Sequence, residues 1–230
     1  MSFTGFPKQC VDFLAKLKTN NEKQWFDDNR EVYDNFVMEP AREFVAAMGE
    51  KLQKIAPKIV ADPRINQSIF KIHRDVRFSP DKTPFKTHLG IFFWEGSRKK
   101  MENSGFYFHI EPPVLLLGAG IYIFPKSHID EYRNSVVHPK HGPALTAAIK
   151  EVTGNGELAL DGKHYKKTPR GFDPAHENAE YLLYDGLSVY LSDPIPHDIF
   201  SPGIVDYCFD KFRKMLPLHQ WLVKMTERID

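Results

Sequence analysis

The chain has 230 residues with a formal net charge of +1, and it contains 42% hydrophobic and 27% charged residues. This length allows a sizeable core, and the composition is typical of a globular protein. A charge so close to zero argues against a general nucleic-acid or membrane-surface protein, which normally carries a basic excess. We therefore expect no membrane partner and no nucleic-acid partner.

The cysteines and the N-terminus indicate the compartment. Cys10 and Cys208 stand alone without a CxxC pattern, which is typical of reduced structural thiols. The opening MSFTGFPKQC lacks the basic and apolar regions of a signal peptide. No apolar run approaches the roughly 20 residues of a membrane span. We expect a cytoplasmic protein.

The first quarter of the chain, residues 1–57, is predicted to be helical. Apolar residues recur there at intervals of three and four, as on the buried face of a helix; they begin with Phe6, Cys10, Phe13, Leu14 and Leu17. Asn21 is predicted to cap a second helix, because asparagine accepts hydrogen bonds from the first amides of a helix. Pro40 should kink or restart that helix.

From Ile69 the hydrophobic period changes to two, which predicts a strand up to Phe78. Apolar residues would lie on one face of this strand and polar residues on the other. Phe78 belongs to the predicted apolar face. Arg74 falls on the same face, so we expect it to be buried and fully hydrogen-bonded. Further apolar strands follow without intervening helices, which implies an antiparallel meander. Gly118 and Gly120 interrupt the last of them and indicate close approach of another backbone.

The predicted fold class is α+β, with an antiparallel sheet of five to six strands flanked by N-terminal helices and a C-terminal helical segment. The C-terminal segment should break at Pro217. Residues 1–230 are predicted to form a single domain. Its parts are a helical region at 1–57, a sheet core at 69–124, and mixed α/β structure with C-terminal helices at 126–230.

The strongest functional signal is the charge within Lys71–His88. This stretch contains five basic residues and two acidic ones, although the whole chain is nearly neutral. Arginine offers a planar fork of donors and lysine a mobile positive charge, and both suit phosphate or carboxylate. We predict an anion-recognising pocket for a small molecule, with ligand-binding candidates Arg74, Arg77, Lys82, Lys86 and His88. The catalytic candidates are His73, Asp75 and Asp81.

An alternative assigns the same residues a structural role. Arg74 and Arg77 could pair with Asp75, Asp81 or a distant glutamate and hold the turn together. The protein would then be a non-catalytic interaction module. The sequence leaves both interpretations open, because ion-pair networks resemble functional sites.

Some of the histidines are also candidate metal ligands. His73-x-Asp75 and His109-x-Glu111 each place two ligand types on one strand face. The chain has no HExxH or CxxC motif. The sequence therefore predicts no metal site and no cofactor. The basic run 163–170 is interpreted as a solvated rim and not as a nucleic-acid site.

The central run Arg74-Asp75-Val76-Arg77-Phe78, followed by Asp81-Lys82-Thr83-Pro84-Phe85-Lys86-Thr87, resembles the signature of a widespread bacterial and fungal family of unknown function. Further similar motifs run along almost the whole chain; they are Asn20-Asn21 with Trp25-Phe26, Gly118–Tyr122 with Pro125, Pro169–Asp173, and Pro217-Leu218 with Trp221. Lys71 and Phe85 stand where Arg and Tyr are common. The resemblance implies no activity, substrate or cofactor.

Overall fold

The computed structural model describes residues 3–229. The helices are α1 Lys8–Thr19, α2 Lys23–Asp28, α3 Arg30–Tyr33, α4 Glu39–Leu52, α5 Lys126–Val137, α6 His141–Thr153 and α7 Gly203–Thr226. The strands are β1 Ile59–Val60, β2 Leu89–Glu95, β3 Gly105–Glu111, β4 Val114–Ile121, β5 Ala159–Lys163 and β6 Tyr184–Pro194. They form one antiparallel sheet in the order β1-β2-β3-β4-β6-β5. The predicted α+β class with an antiparallel sheet of five to six strands is confirmed.

The chain divides into two compact units. The first contains the described residues up to Phe93 together with Tyr107–Leu117 and Ser192–Lys211. The second contains Trp94–Phe106, Gly118–Leu191 and the described residues from Phe212 onward. The single domain over residues 1–230 stays a prediction. No helix within residues 3–229 is both long enough and apolar enough to span a membrane.

The core of the first unit is built on aromatic rings. Phe6, Phe44 and Phe108 are fully buried, and the Phe44 and Phe108 ring centroids are 4.5 Å apart. Such ring pairs add to the energy of apolar burial. The predicted apolar spacing of α1 is confirmed by four buried residues, which are Cys10, Phe13, Leu14 and Leu17. Before Pro40 the helical segment passes through a π-helical turn at Asp34–Met38, so the proline follows a local irregularity as expected.

The strand predicted from Ile69 to Phe78 is wrong, so the first strand of the predicted sheet core 69–124 begins only at Leu89. The backbone of the segment makes scattered hydrogen bonds, such as that from the Arg74 amide to the Pro84 carbonyl. It also makes isolated antiparallel bridges, from Ile69 to Ile91 and from His73 to Phe85. Proline lacks an amide donor, so Pro80 and Pro84 cannot extend a regular ladder. Phe78, predicted to face inward, is 92% exposed.

Asn21 does not cap a helix. Its side chain donates from Nδ2 to the Phe85 carbonyl at 2.9 Å and accepts from the Phe85 amide at 3.0 Å. One amide side chain thereby satisfies both backbone groups of a residue 64 positions away. The contact fixes the irregular segment next to Lys86, Thr87 and His88.

In the second unit, the glycine prediction is confirmed. A Cβ on Gly118 would lie 3.1 Å from the Val189 carbonyl oxygen, and one on Gly120 would lie 2.3 Å from that of Leu187. Gly120 also has φ +137°, a conformation that residues with side chains rarely adopt. The two glycines therefore allow β4 to approach β6.

The predicted break at Pro217 is wrong, because α7 continues through it. An internal proline removes one helical hydrogen bond. Apolar side chains beyond Pro217 remain buried on one face of the helix; they are Leu218, Trp221, Leu222 and Met225. Tertiary burial supplies most helix stability in proteins, and here it outweighs the local loss.

Candidate metal centre

The arginines of Lys71–His88 pair with acidic residues of the same segment. Arg74 donates from Nη1 to Asp81 Oδ2 at 2.5 Å and also bonds Thr83. Arg77 donates to both carboxylate oxygens of Asp75, at 2.9 and 2.7 Å. The expectation of a buried Arg74 is wrong, since its side chain is 27% exposed. These are the ion pairs expected if Arg74 and Arg77 hold the turn together and have a structural role.

The other candidates of this segment also have local neighbours. Lys82 donates from Nζ to the Val76 carbonyl at 2.9 Å. The Nζ of Lys86 lies 5.4 Å from the centroid of the Phe70 ring, a cation–π contact. His73 is exposed, with its ring 5.1 Å from that of Phe85. The anion pocket and the catalytic roles of His73, Asp75 and Asp81 stay predictions.

His88 belongs to a different cluster, which contains His109 and Glu111 of β3. His88 directly precedes β2, the neighbour of β3 in the sheet. His109 and Glu111 are two positions apart on one strand, so their side chains share a face. One potential ligand atom from each of the three residues lies within 4.8 Å of the others. His109 Nε2 and Glu111 Oε2 are 3.6 Å apart, and the two imidazole rings stack with centroids 4.1 Å apart.

Two neighbouring hydroxyl groups orient this cluster. The Tyr107 hydroxyl lies 3.0 Å from His109 Nδ1, and Thr87 donates to Glu111 Oε1 at 2.5 Å. These bonds use one side of each ligand group and leave His109 Nε2 and Glu111 Oε2 directed at each other. Gly90 makes room for the tyrosine, because a Cβ there would lie 2.8 Å from its hydroxyl oxygen.

The electrostatic environment keeps the two imidazoles neutral. Burial, together with the nearby His109 and Lys86, lowers the pKa of His88 to about 4 against the opposing effect of Glu111. Burial also lowers the pKa of His109. The hydrogen bond from Thr87 lowers the pKa of Glu111. At neutral pH the cluster therefore offers two neutral imidazoles and a carboxylate, the forms that bind metal ions.

The donor types are those that bind divalent transition-metal ions. Imidazole nitrogen and carboxylate oxygen bind zinc at about 2.0–2.2 Å, which places neighbouring ligands of a tetrahedral site about 3.4 Å apart. The separation of 3.6 Å between His109 Nε2 and Glu111 Oε2 is close to that value. Two histidines and one carboxylate also serve iron and related metals, with coordination positions left open.

Sequence reasoning found this cluster only in part. The spacing His109-x-Glu111 indicates two ligands on one strand face, whereas the sequence groups His88 with the predicted anion-binding residues. The third ligand depends on which residues of β2 and β3 lie side by side, and no local pattern encodes that. Tyr107, two residues before His109, continues the same face of β3, and this spacing could have identified it.

A second polar cluster lies inside the second unit. His219 Nε2 is 2.9 Å from Glu95 Oε2, and His219 Nδ1 is 2.9 Å from the Ser104 hydroxyl. A serine, a histidine and a carboxylate in series resemble a hydrolytic triad. Ser104 and His219 are fully buried and Glu95 is 8% exposed, so no substrate reaches them. The cluster is a satisfied polar network within the core.

The fold and this cluster define an α+β protein with a histidine- and carboxylate-rich site at one end of two sheet strands. A family model matches residues 9–221, and the chain belongs to that family, DUF2461, described as a conserved hypothetical protein. The predicted family membership is confirmed, and it brings no activity. Comparison with curated proteins and with solved structures found no match.

Proposed function

We propose that this protein binds a divalent transition-metal ion through His88, His109 and Glu111, and that the open coordination positions take an anionic small molecule. The observation that carries the proposal is that three ligand atoms lie within 4.8 Å of one another. Two of these atoms come from β3 and the third from the residue that directly precedes β2, the neighbour of β3 in the sheet, and such a support suits a preorganised site.

The hydrogen bonds around the cluster support this function. Metal-binding histidines usually bond a further group through their second ring nitrogen, and such groups tune metal affinity. The Tyr107 hydroxyl is such a group at the second ring nitrogen of His109, and the Thr87 hydroxyl donates a hydrogen bond to the carboxylate of Glu111. A structural zinc site normally has four protein ligands, whereas three ligands are typical of sites that also bind water or substrate.

The predicted anion recognition becomes part of this proposal. A divalent ion with one carboxylate ligand keeps a net positive charge, and Lys86 adds another nearby. Within residues 3–229, no acidic side chain pairs with Lys86, whose main contact is the Phe70 ring. A bound metal would polarise a carbonyl or phosphoryl group or activate water, so metal-assisted hydrolysis is the reaction class this arrangement favours.

The remaining expectations belong to the same proposal. Cys10 and Cys208 are both buried free thiols, which supports a cytoplasmic location. We expect no nucleic-acid partner. A non-catalytic interaction module is the second candidate, and the bonds of Arg74 to Asp81 and Thr83 favour a structural role for that part of the segment.

Isothermal titration of the chelator-treated protein with Zn²⁺ and Mn²⁺ tests the function. We expect one site per chain, and His109→Ala and Glu111→Gln should each abolish or greatly weaken it. His73→Ala is the matched control, because His73 is an exposed histidine outside the cluster. Absence of binding by the folded wild type, or equal binding by His109→Ala, would refute the proposal.

A further inference from the structure

The second unit contains a groove between α6 and the C-terminal half of α7. Its volume is about 520 Å³, within the range of small-molecule sites. The lining includes Ala144, Ala148, Pro217 and Trp221, with Lys140, Lys224 and Arg228 among the charged residues. No residue of the proposed metal centre contributes to it.

The floor of the groove is apolar and firmly held. Small alanine side chains of α6 leave the space open opposite Trp221. The indole nitrogen of Trp221 donates to the His141 carbonyl at 3.0 Å, and its ring meets Tyr132 edge to face with centroids 6.3 Å apart. These contacts fix the indole in place, and the 8% of Trp221 that stays exposed gives the groove a rigid aromatic edge beside the alanines of α6.

The rim of the groove is positively charged. Three basic side chains and one carboxylate, that of Glu151, line it. Arg228 is occupied, because it donates to Glu131 at 2.8 Å and to Ser135 at 2.8 Å. Lys140 and Lys224 have no ion pair in the part of the chain that the structure describes. The pKa of His141 is lowered, mainly by burial and also by the nearby Arg228, His138 and Lys140. This direction agrees with a positive potential at the rim.

We propose that this groove binds a small organic anion with a flat apolar body. The anionic group, a carboxylate or a phosphate ester, would pair with Lys140 and Lys224. The apolar body would lie against Trp221 and the alanines of α6. Both halves of the ligand are needed, because two exposed lysines alone bind anions weakly and the apolar floor alone confers no charge preference.

Calorimetric titration with phenyl phosphate and 1-naphthoate tests this inference, with benzyl alcohol as the neutral probe and inorganic phosphate as the purely ionic one. We expect the aromatic anions to bind more tightly than either comparison probe. Lys140→Ala and Lys224→Ala should each weaken binding by about tenfold, as expected for loss of one charge-assisted contact. Stronger binding of phenyl phosphate or of naphthoate would distinguish a phosphate ester from a carboxylate.

Two further variants separate the groove from general charge effects. Ala144→Trp fills the groove from an exposed helix position without altering charge, and it should abolish binding. Lys150→Ala removes an exposed lysine of α6 that does not line the groove, and it should leave binding unchanged. Equal binding of benzyl alcohol, binding that survives Ala144→Trp, or absence of binding by every aromatic anion would overturn the inference.

Discussion

Replacing Asn21 by alanine should destabilise the first unit and loosen the segment that leads to His88. The change removes two hydrogen bonds to the backbone of Phe85, at 2.9 and 3.0 Å, in a partly buried site. A net contribution of about 0.5–1.5 kcal/mol per bond gives a loss of about 1–3 kcal/mol in the free energy of unfolding. For a chain of this size that corresponds to a fall of several degrees in the melting temperature.

Urea denaturation measures the free energy, and hydrogen exchange at the Phe85 amide reports the local opening. Asn20→Ala is a matched control, because the neighbouring asparagine also makes two side-chain hydrogen bonds, to Lys16 and Thr19, but at an exposed helix end. We expect the control to lose clearly less stability and to leave exchange at Phe85 unchanged. Equal losses in the two variants would show that the reasoning about Asn21 is wrong.

Three further predictions concern pH, backbone geometry and the metal centre. Hydrogen bonds from the Thr83 amide and from Arg74 lower the pKa of Asp81 from 3.8 to about 2, so its contribution to stability is present above pH 4 and is lost as the pH falls towards 2. The difference in urea midpoint between wild type and Asp81→Asn should shrink over that interval; a constant difference would contradict this. Gly120→Ala should lower the free energy of unfolding by about 1–3 kcal/mol through overpacking and backbone strain. Gly156→Ala, at φ +72° with nothing within 4 Å of its Cβ, should lower it less in the same urea denaturation assay. Equal losses in the two variants would count against the close approach of β4 to β6. Tyr107→Phe should weaken zinc binding about 10–100-fold in calorimetry, because it loses the hydrogen bond to His109. Tyr122→Phe, which changes an exposed tyrosine, should bind zinc normally. Unaltered zinc binding by Tyr107→Phe would show that Tyr107 does not orient His109.

Helices, strands and close-packed glycines are predictable from sequence where neighbouring residues alone determine them. The apolar spacing of α1 and the succession of strands without helices both led to the correct class, because burial of one face imposes a period on the sequence. The close approach at Gly118 and Gly120 is also predictable from sequence, because glycine within a strand often marks a site where another backbone comes close.

The errors occurred where distant contacts decide the structure. Asn21 looks like a helix cap in sequence, but its partner is Phe85, 64 positions away. The alternating residues after Ile69 have a strand pattern, but they make only isolated bridges, from Ile69 to Ile91 and from His73 to Phe85, and no continuous ladder. His88 gained its place in the metal cluster from the pairing of two strands, which a scan for local motifs does not detect.

The most direct test of the metal centre is a crystal structure of the zinc-soaked protein with an anomalous difference map recorded at the zinc edge. The account predicts a strong peak about 2.0–2.2 Å from His109 Nε2, Glu111 Oε2 and a ring nitrogen of His88. The stacked pair His138 and His141, with ring centroids 4.3 Å apart, provides an internal comparison outside the proposed site. A peak at that pair, with no density among His88, His109 and Glu111, would contradict the account.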